Sequence, residues 1–418
     1  MYRKQWTIMM IMAMTTLIYN MAHPVTPQLI AEQGQGPLFL GIVFAAMAFA
    51  NFAMSPIWGK LSDRYGRKPI MAVAPVGYGL AQIGFGYATS PGWIIIFRLI
   101  AGMMASASFI GGTAYIIDVS KPSERSKQLA FYTALTGFTG SLGYLLGGWV
   151  GNEDYHHAFD LQFLLSILLG LLIWGILPES NAKDRLEIKA KATERTAHPI
   201  EWHVTVILVL IVVYLTSLIY KGFDISFNAY LKFSLGFSPL KIGLVMAGSG
   251  LIGLITNFVF YPLLKRRYHD FGLLLTTILI MGILSFLFIF NRSLLLQALL
   301  IMLFFACLAL YKPLLQAILS KMGKRNGELM GWNNAANSLG LVIGSAVLGA
   351  IFDIHPSYAF LTLAVTAFIA AGLLGSKKAE LYDEVKESPN ETISSSSHAR
   401  EAEFTRPEMV GKDLPDHL

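Results

Sequence analysis

One cysteine, Cys307, is all that 418 residues hold, which excludes a disulfide framework, a CxxC redox pair and a metal centre built on paired thiolates. Charge is scarce as well: 14% of the residues are Asp, Glu, Lys or Arg, against about 25% in an ordinary soluble protein. No Gly-rich nucleotide loop ending in Lys-Ser or Lys-Thr is present, which excludes ATP-driven chemistry, and neither an HExxH pair nor a nucleophile elbow suggests an enzyme. The alternating pattern of a membrane β-barrel is missing too. What the chain does have is apolar length: 54% of its residues are hydrophobic, in long continuous runs. Its formal charge of +6 does not point to nucleic acid, because the basic residues fall in short loops between those runs. An all-α polytopic membrane protein is the class that remains.

Apolar windows of about 20 residues, the length that crosses roughly 30 Å of hydrocarbon as a helix, number twelve. They cover 6–28, 38–58, 69–88, 93–116, 128–150, 159–177, 203–226, 240–262, 271–290, 293–316, 328–351 and 357–375. The N-terminal stretch lacks a small-residue cleavage site and is read as the first span rather than a signal peptide. The domain reading is a first six-helix bundle (1–178), a polar linker (179–202), a second six-helix bundle (203–376) and a disordered tail (377–418) rich in Ser and charge. Assigning loops alternately to two sides puts Arg3 and Lys4, Lys60 to Lys68, Lys121 to Lys127, Lys265 to Arg267 and Lys321 to Arg325 on one side, leaving Lys232 and Arg292 on the other. Basic loops face the cytoplasm, so both termini are expected there, in a cell membrane.

The densest charge lies in Gly59-Lys60-Leu61-Ser62-Asp63-Arg64-Tyr65-Gly66-Arg67-Lys68, read as a tight turn between the second and third spans, with two glycines letting the backbone reverse. This run matches G-x-L-(S/A)-D-(R/K)-x-G-(R/K)-(R/K), and by it the chain resembles the major facilitator superfamily, most closely its twelve-helix drug/proton antiporters. The resemblance spans roughly residues 6–376. It implies a fold of two pseudo-symmetric six-helix bundles with a central substrate site, no cofactor beyond a proton gradient, no metal, and a monomer whose partners are a small solute, protons and lipid. It also implies a cytoplasmic gate of Gly59, Asp63, Arg64, Gly66, Arg67 and Lys68. Asp118 and Arg125 lie near it, and a latch of Asp63, Arg67 and Asp118 is expected to favour an outward-open state.

Inside the spans, ionic residues mark function because lipid tolerates them poorly. Arg98 of the fourth span, with Gly102, fits an R-x-x-x-G element that the resemblance links to proton coupling; snorkelling to the outer interface is the alternative. Asp224 of the seventh span is the expected proton carrier, since a carboxylate in a partly dry cavity holds a proton more readily; a fixed pair with Lys221, three residues away, is the alternative. Lys312 with Tyr311 in the tenth span, Lys221, and His23 and Asn20 of the first complete the expected substrate cavity. Gly143, Gly147 and Gly148 form a packing stripe in the fifth span. There the antiporter pattern G-P-x-x-G-G has Tyr144 in place of proline, which weakens the expectation of export. With Arg98, Lys221 and Lys312 set against Asp224 alone, the cavity is expected to be net positive and to favour an anionic or zwitterionic metabolite, such as a carboxylate siderophore, over cationic dyes. A broad multidrug pump, an importer of the same fold and a non-transporting receptor are the alternatives.

Overall fold

The computed structural model describes residues 2–121, 124–180, 204–290, 293–322 and 326–376; most of the expected linker, from residue 181, and the expected tail lie outside them. Among the described residues there is no strand. The helices are α1 (Tyr2–Asn20), α2 (Thr26–Glu32), α3 (Pro37–Tyr65), α4 (Arg67–Gly86), α5 (Pro91–Val119), α6 (Arg125–Val150), α7 (Tyr155–Ile176), α8 (Val204–Ala229), α9 (Pro239–Ile255), α10 (Tyr261–Arg267), α11 (Asp270–Phe290), α12 (Leu294–Met322), α13 (Asn326–Ile354) and α14 (Pro356–Ser376). Ten spans among the described residues are long and apolar enough to cross a membrane. Helices α1 and α6 bring the total of membrane length to twelve, their apolar character diluted by Arg3 and Lys4 in one and by Thr, Ser and Gly in the other.

Both halves pair their helices in the same order. In the first, α1 packs on α6, α3 on α5, and α4 on α5 and α7; in the second, α8 packs on α13, α9 on α12, and α11 on α12 and α14. Between halves, α3 lies against α13 and α6 against α9, two crossings related by the same pseudo-symmetry. Each is a glycine-to-glycine contact. A Cβ on Gly41 would stand 2.9 Å from the Cα of Gly349, and one on Gly148 would stand 3.0 Å from the Cα of Gly243, so only bare backbone allows the helices so close. Both crossings sit at the end of the bundle opposite the charged turn.

Three expectations from sequence need correction. The first span does not run unbroken to residue 28: α1 stops at Asn20, and after a turn through Met21–Val25 the chain restarts as α2, because Pro24 has no N–H for a helical ladder. The charged segment is not a ten-residue turn, since α3 continues through Asp63 to Tyr65 and α4 starts at Arg67, leaving the reversal to Gly66 alone. Gly66 has φ +104°, a conformation that side chains resist, whereas Gly59 lies within the helix with open space around it. The eighth span runs past residue 262, reaching Arg267 through a π-turn at Thr256–Phe260, where Pro262 interrupts the regular hydrogen bonding.

Candidate functional site

At the charged-turn end, Arg67 gathers the acids. Its guanidinium pairs with Asp63 at 2.8 Å and Asp118 at 3.2 Å and donates to the Ser62 hydroxyl at 3.0 Å. Asp118 also accepts from Ser180 Oγ at 2.9 Å. The contact that sequence reasoning missed is Glu179. Its carboxylate accepts the backbone N–H groups of Arg67 (2.9 Å) and Lys68 (3.2 Å), capping α4 from a distant part of the chain. The signal was there: the residue before α4 is Gly66, which has no side chain to cap the helix, and an acid from elsewhere meets the positive end of the helix dipole. Glu179 and Ser180, assigned to the linker, are thus docked on the first bundle. Arg64 lies over Tyr65 and Lys68 over Trp174, each 5.3 Å from the ring centre, and Arg125 makes no ion pair among the described residues. The contacts named above join α3, α4, α5 and the end of α7, elements of one half.

Arg98 points inward with 1% of its surface exposed, so the snorkelling alternative does not hold. One turn along α5, Gly102 presses against the backbone of Met47 on α3, and that close approach draws Arg98 into the bundle. There it donates to Thr26 Oγ1 at 2.8 Å and stacks 3.7 Å from the centre of the Phe85 ring, with Phe44 at 5.5 Å. No carboxylate pairs with it among the described residues; aromatic faces and one hydroxyl stand in.

Asp224 and Lys221 form an ion pair at 2.6 Å, and Asn228 donates to the Asp224 side chain at 3.1 Å. The Lys221 ammonium also crosses to the other half, lying 4.6 Å from the centre of Phe44 on α3. His23 stacks on Phe44 and leans on Tyr144, both at 5.3 Å, so residues of α3, α6, α8 and the turn after α1 meet at one point. Tyr144, noted in the sequence only as a missing proline, is a wall of this site, and α6 is one continuous helix through it. Phe44 carried no signal at all, being one more aromatic in an apolar span.

Lys312, next to the buried Tyr311 on α12, has an exposed side chain. Tyr220 of α8 is exposed as well and approaches the Tyr311 ring at 6.5 Å. Two parts of the expected cavity charge are therefore removed: Arg98 is sealed within the first bundle and Lys221 is neutralised by Asp224. Lys312 is left as an exposed cation with no ion pair among the described residues. Asn20 donates to Thr16 and packs against Gly140 and Gly143 of α6, and Gly147 presses on the backbone of Met21, so these residues serve helix packing.

Comparison with known proteins agrees with this architecture. The sequence profile of the Major Facilitator Superfamily matches residues 8–322 and 209–407. Multidrug resistance protein 1 of Bacillus subtilis is 26% identical over 365 residues, covering 85% of this chain and 91% of that protein. Quinolone resistance protein NorA of Staphylococcus aureus is 23% identical over 333 residues, covering 79% and 85%. Among solved structures, the human organic anion transporter MFSD10 (TETRAN) superposes with a TM-score of 0.66 at 20% identity over 89% of this chain and 99% of that one, a likeness of fold.

Proposed function

Since the chain belongs to the Major Facilitator Superfamily, we propose that this multi-pass membrane transporter expels small amphipathic organic solutes in exchange for protons, with both termini in the cytoplasm. The observation that carries the reading is the Lys221–Asp224 pair, set where the two halves touch. A half-buried ion pair is held by Coulomb attraction against the cost of desolvation, so protonating one member removes its main reason to persist. A proton on Asp224 frees Lys221, and loss of the proton restores the pair. Such an element has two states, and a proton gradient can bias it. With the charged turn on the cytoplasmic side, the glycine crossings close the outer end. Helices α3 and α9 bridge the halves yet are among the least buried spans, at 28% and 22%, which fits a passage open toward the charged-turn end.

Substrate class follows from the wall. Tyr220 offers exposed aromatic surface, backed by the buried Tyr311, and Lys312 a positive charge, a combination suited to an amphipathic molecule bearing an acidic group. The name of the Bacillus subtilis relative, a multidrug resistance protein, favours a range of organic compounds over a single metabolite. The test is uptake into inverted membrane vesicles under an imposed pH gradient. Asp224→Asn is expected to abolish proton-driven uptake while the protein still reaches the membrane, and Lys312→Gln to weaken uptake of acidic amphiphiles more than of cationic ones. Undiminished uptake by Asp224→Asn at every pH removes Asp224 as the carrier, and equal losses for both solute classes in Lys312→Gln remove the anion preference.

A further inference from the structure

Phe44 is 4% exposed, on the inner face of α3 one turn from the Gly41–Gly349 crossing, and it is shared by cations of both halves. Arg98, from its own half, lies 5.5 Å from the ring centre, and Lys221, from the opposite half, lies 4.6 Å away. The two cations are thus at most about 10 Å apart, the sum of those distances, with no carboxylate on Arg98 to offset the repulsion. An aromatic ring presents a negative face to a cation, and the attraction is strongest where water is excluded. Lys221 accordingly has two partners of different kinds: the Asp224 carboxylate on its own helix, and the Phe44 ring across the interface.

We propose that Phe44 is the positioning residue that couples charge on α8 to closure of the bundle end opposite the charged turn, by accepting the Lys221 cation across the interface. The proposal rests on the alternating-access reading of the Lys221–Asp224 pair. Separating α3 from α13 at the glycine crossing carries Phe44 away from Lys221, so this cation–ring contact belongs to the closed arrangement alone. The consequence has a definite sign. While Asp224 is ionised it holds Lys221 by itself, and the ring contributes little. Once Asp224 takes a proton, the ring is the partner that remains, and the closed arrangement gains relative to the open one. Proton loading then favours closure of this end, the direction that exchange of an outside proton for an inside solute requires. His23 stacks on the same ring, with Tyr144 against it, and Arg98 flanks the ring; these three, with Asp224, Lys221 and the nearby Tyr220, are the titratable or charged groups around Phe44 and Asp224 among the described residues.

The test replaces Phe44 in the full-length protein by mono-, di- and trifluorophenylalanine, which keep the ring's shape while draining its negative face. Spin labels at Glu153→Cys and Lys241→Cys, exposed positions in the two halves at this end, report the closed-to-open ratio in lipid nanodiscs, with Cys307→Ser removing the native thiol. The closed-to-open ratio is expected to fall stepwise, by about fivefold or more across the series, and the steps to vanish in a Lys221→Met background. Phe44→Leu should shift the ratio the same way without grading. Two distance populations whose ratio ignores fluorination, or whose steps survive Lys221→Met, overturn the role of Phe44 and leave the transport reading standing. A single distance in every variant and at every pH overturns both.

Discussion

The two ends of the bundle are held by opposite means. At the charged-turn end, Arg67, Asp63, Asp118, Ser180 and Glu179 are tied by ion pairs and hydrogen bonds within one half. At the other end, the halves meet through bare backbone at Gly41–Gly349 and Gly148–Gly243, with polar contacts such as Gln28–Lys232 and Asn152 to the Leu240 N–H at the rim. Charges give directional bonds that set the shape of one bundle and survive its movement as a body. Glycine crossings give a flat surface that makes and breaks contact without leaving buried polar groups unpaired, as a moving interface requires. The expected latch residues Asp63, Arg67 and Asp118 do meet, through ion pairs that join α3, α4 and α5.

The difference can be broken deliberately. Arg67→Ala takes the guanidinium away from both Asp63 and Asp118, the latter's side chain 14% exposed, and should cost about 3 kcal/mol of stability, seen as a lower unfolding temperature in detergent. If the cluster is internal to one half, the spacing between Glu153 and Lys241 stays unchanged in that variant. Gly148→Val drives a side chain into the Pro239 carbonyl and the Gly243 backbone and should cost the closed arrangement about 2 kcal/mol, lengthening the same spacing. Unfolding without a change in distance would mean that the crossing is structural rather than a moving contact. Glu179→Ala removes the cap of α4 at a cost of about 1 kcal/mol, and faster amide exchange at Arg67 and Lys68 should report it.

The smallest effect concerns Asp154, the N-cap of α7 at the glycine end, which accepts the His156 N–H at 2.9 Å. That backbone bond holds its carboxyl below the usual value of 3.8. A carboxylate with a depressed pKa in the folded state adds stability that is fully present above its unfolded pKa and disappears as pH falls through the folded one. Melting temperature in the range below about pH 4 should therefore fall slightly more for the wild type than for Asp154→Ala. The side chain is 48% exposed, so salt should shrink the difference further.

The reach of sequence reasoning can be read from particular residues. Arg98, Asp224 and Lys312 stood out because a charge in an apolar run has few tolerable places; the structure buries Arg98 and pairs Asp224 with Lys221. Their partners were another matter. That Arg98 rests on Phe85 and Thr26 instead of an acid, and that Lys221 divides itself between Asp224 and Phe44, depends on which helices cross at which height. Phe44 and Glu179 could not be distinguished from other aromatics and other loop acids for the same reason. Even Tyr144, singled out for the proline it replaces, acquired its place beside His23 only once α6 lay against α1.

Composition and order along the chain determined by themselves that twelve helices cross a membrane, that they repeat as two sets of six, and that one family shares their charged motif, because hydrocarbon imposes length, apolarity and loop charge on each span locally. The tertiary structure alone decided which end the halves close, that Glu179 caps α4, and that a phenyl ring takes a cation from the opposite side. Those depend on distances of a few ångströms between residues up to three hundred positions apart, which no local pattern encodes.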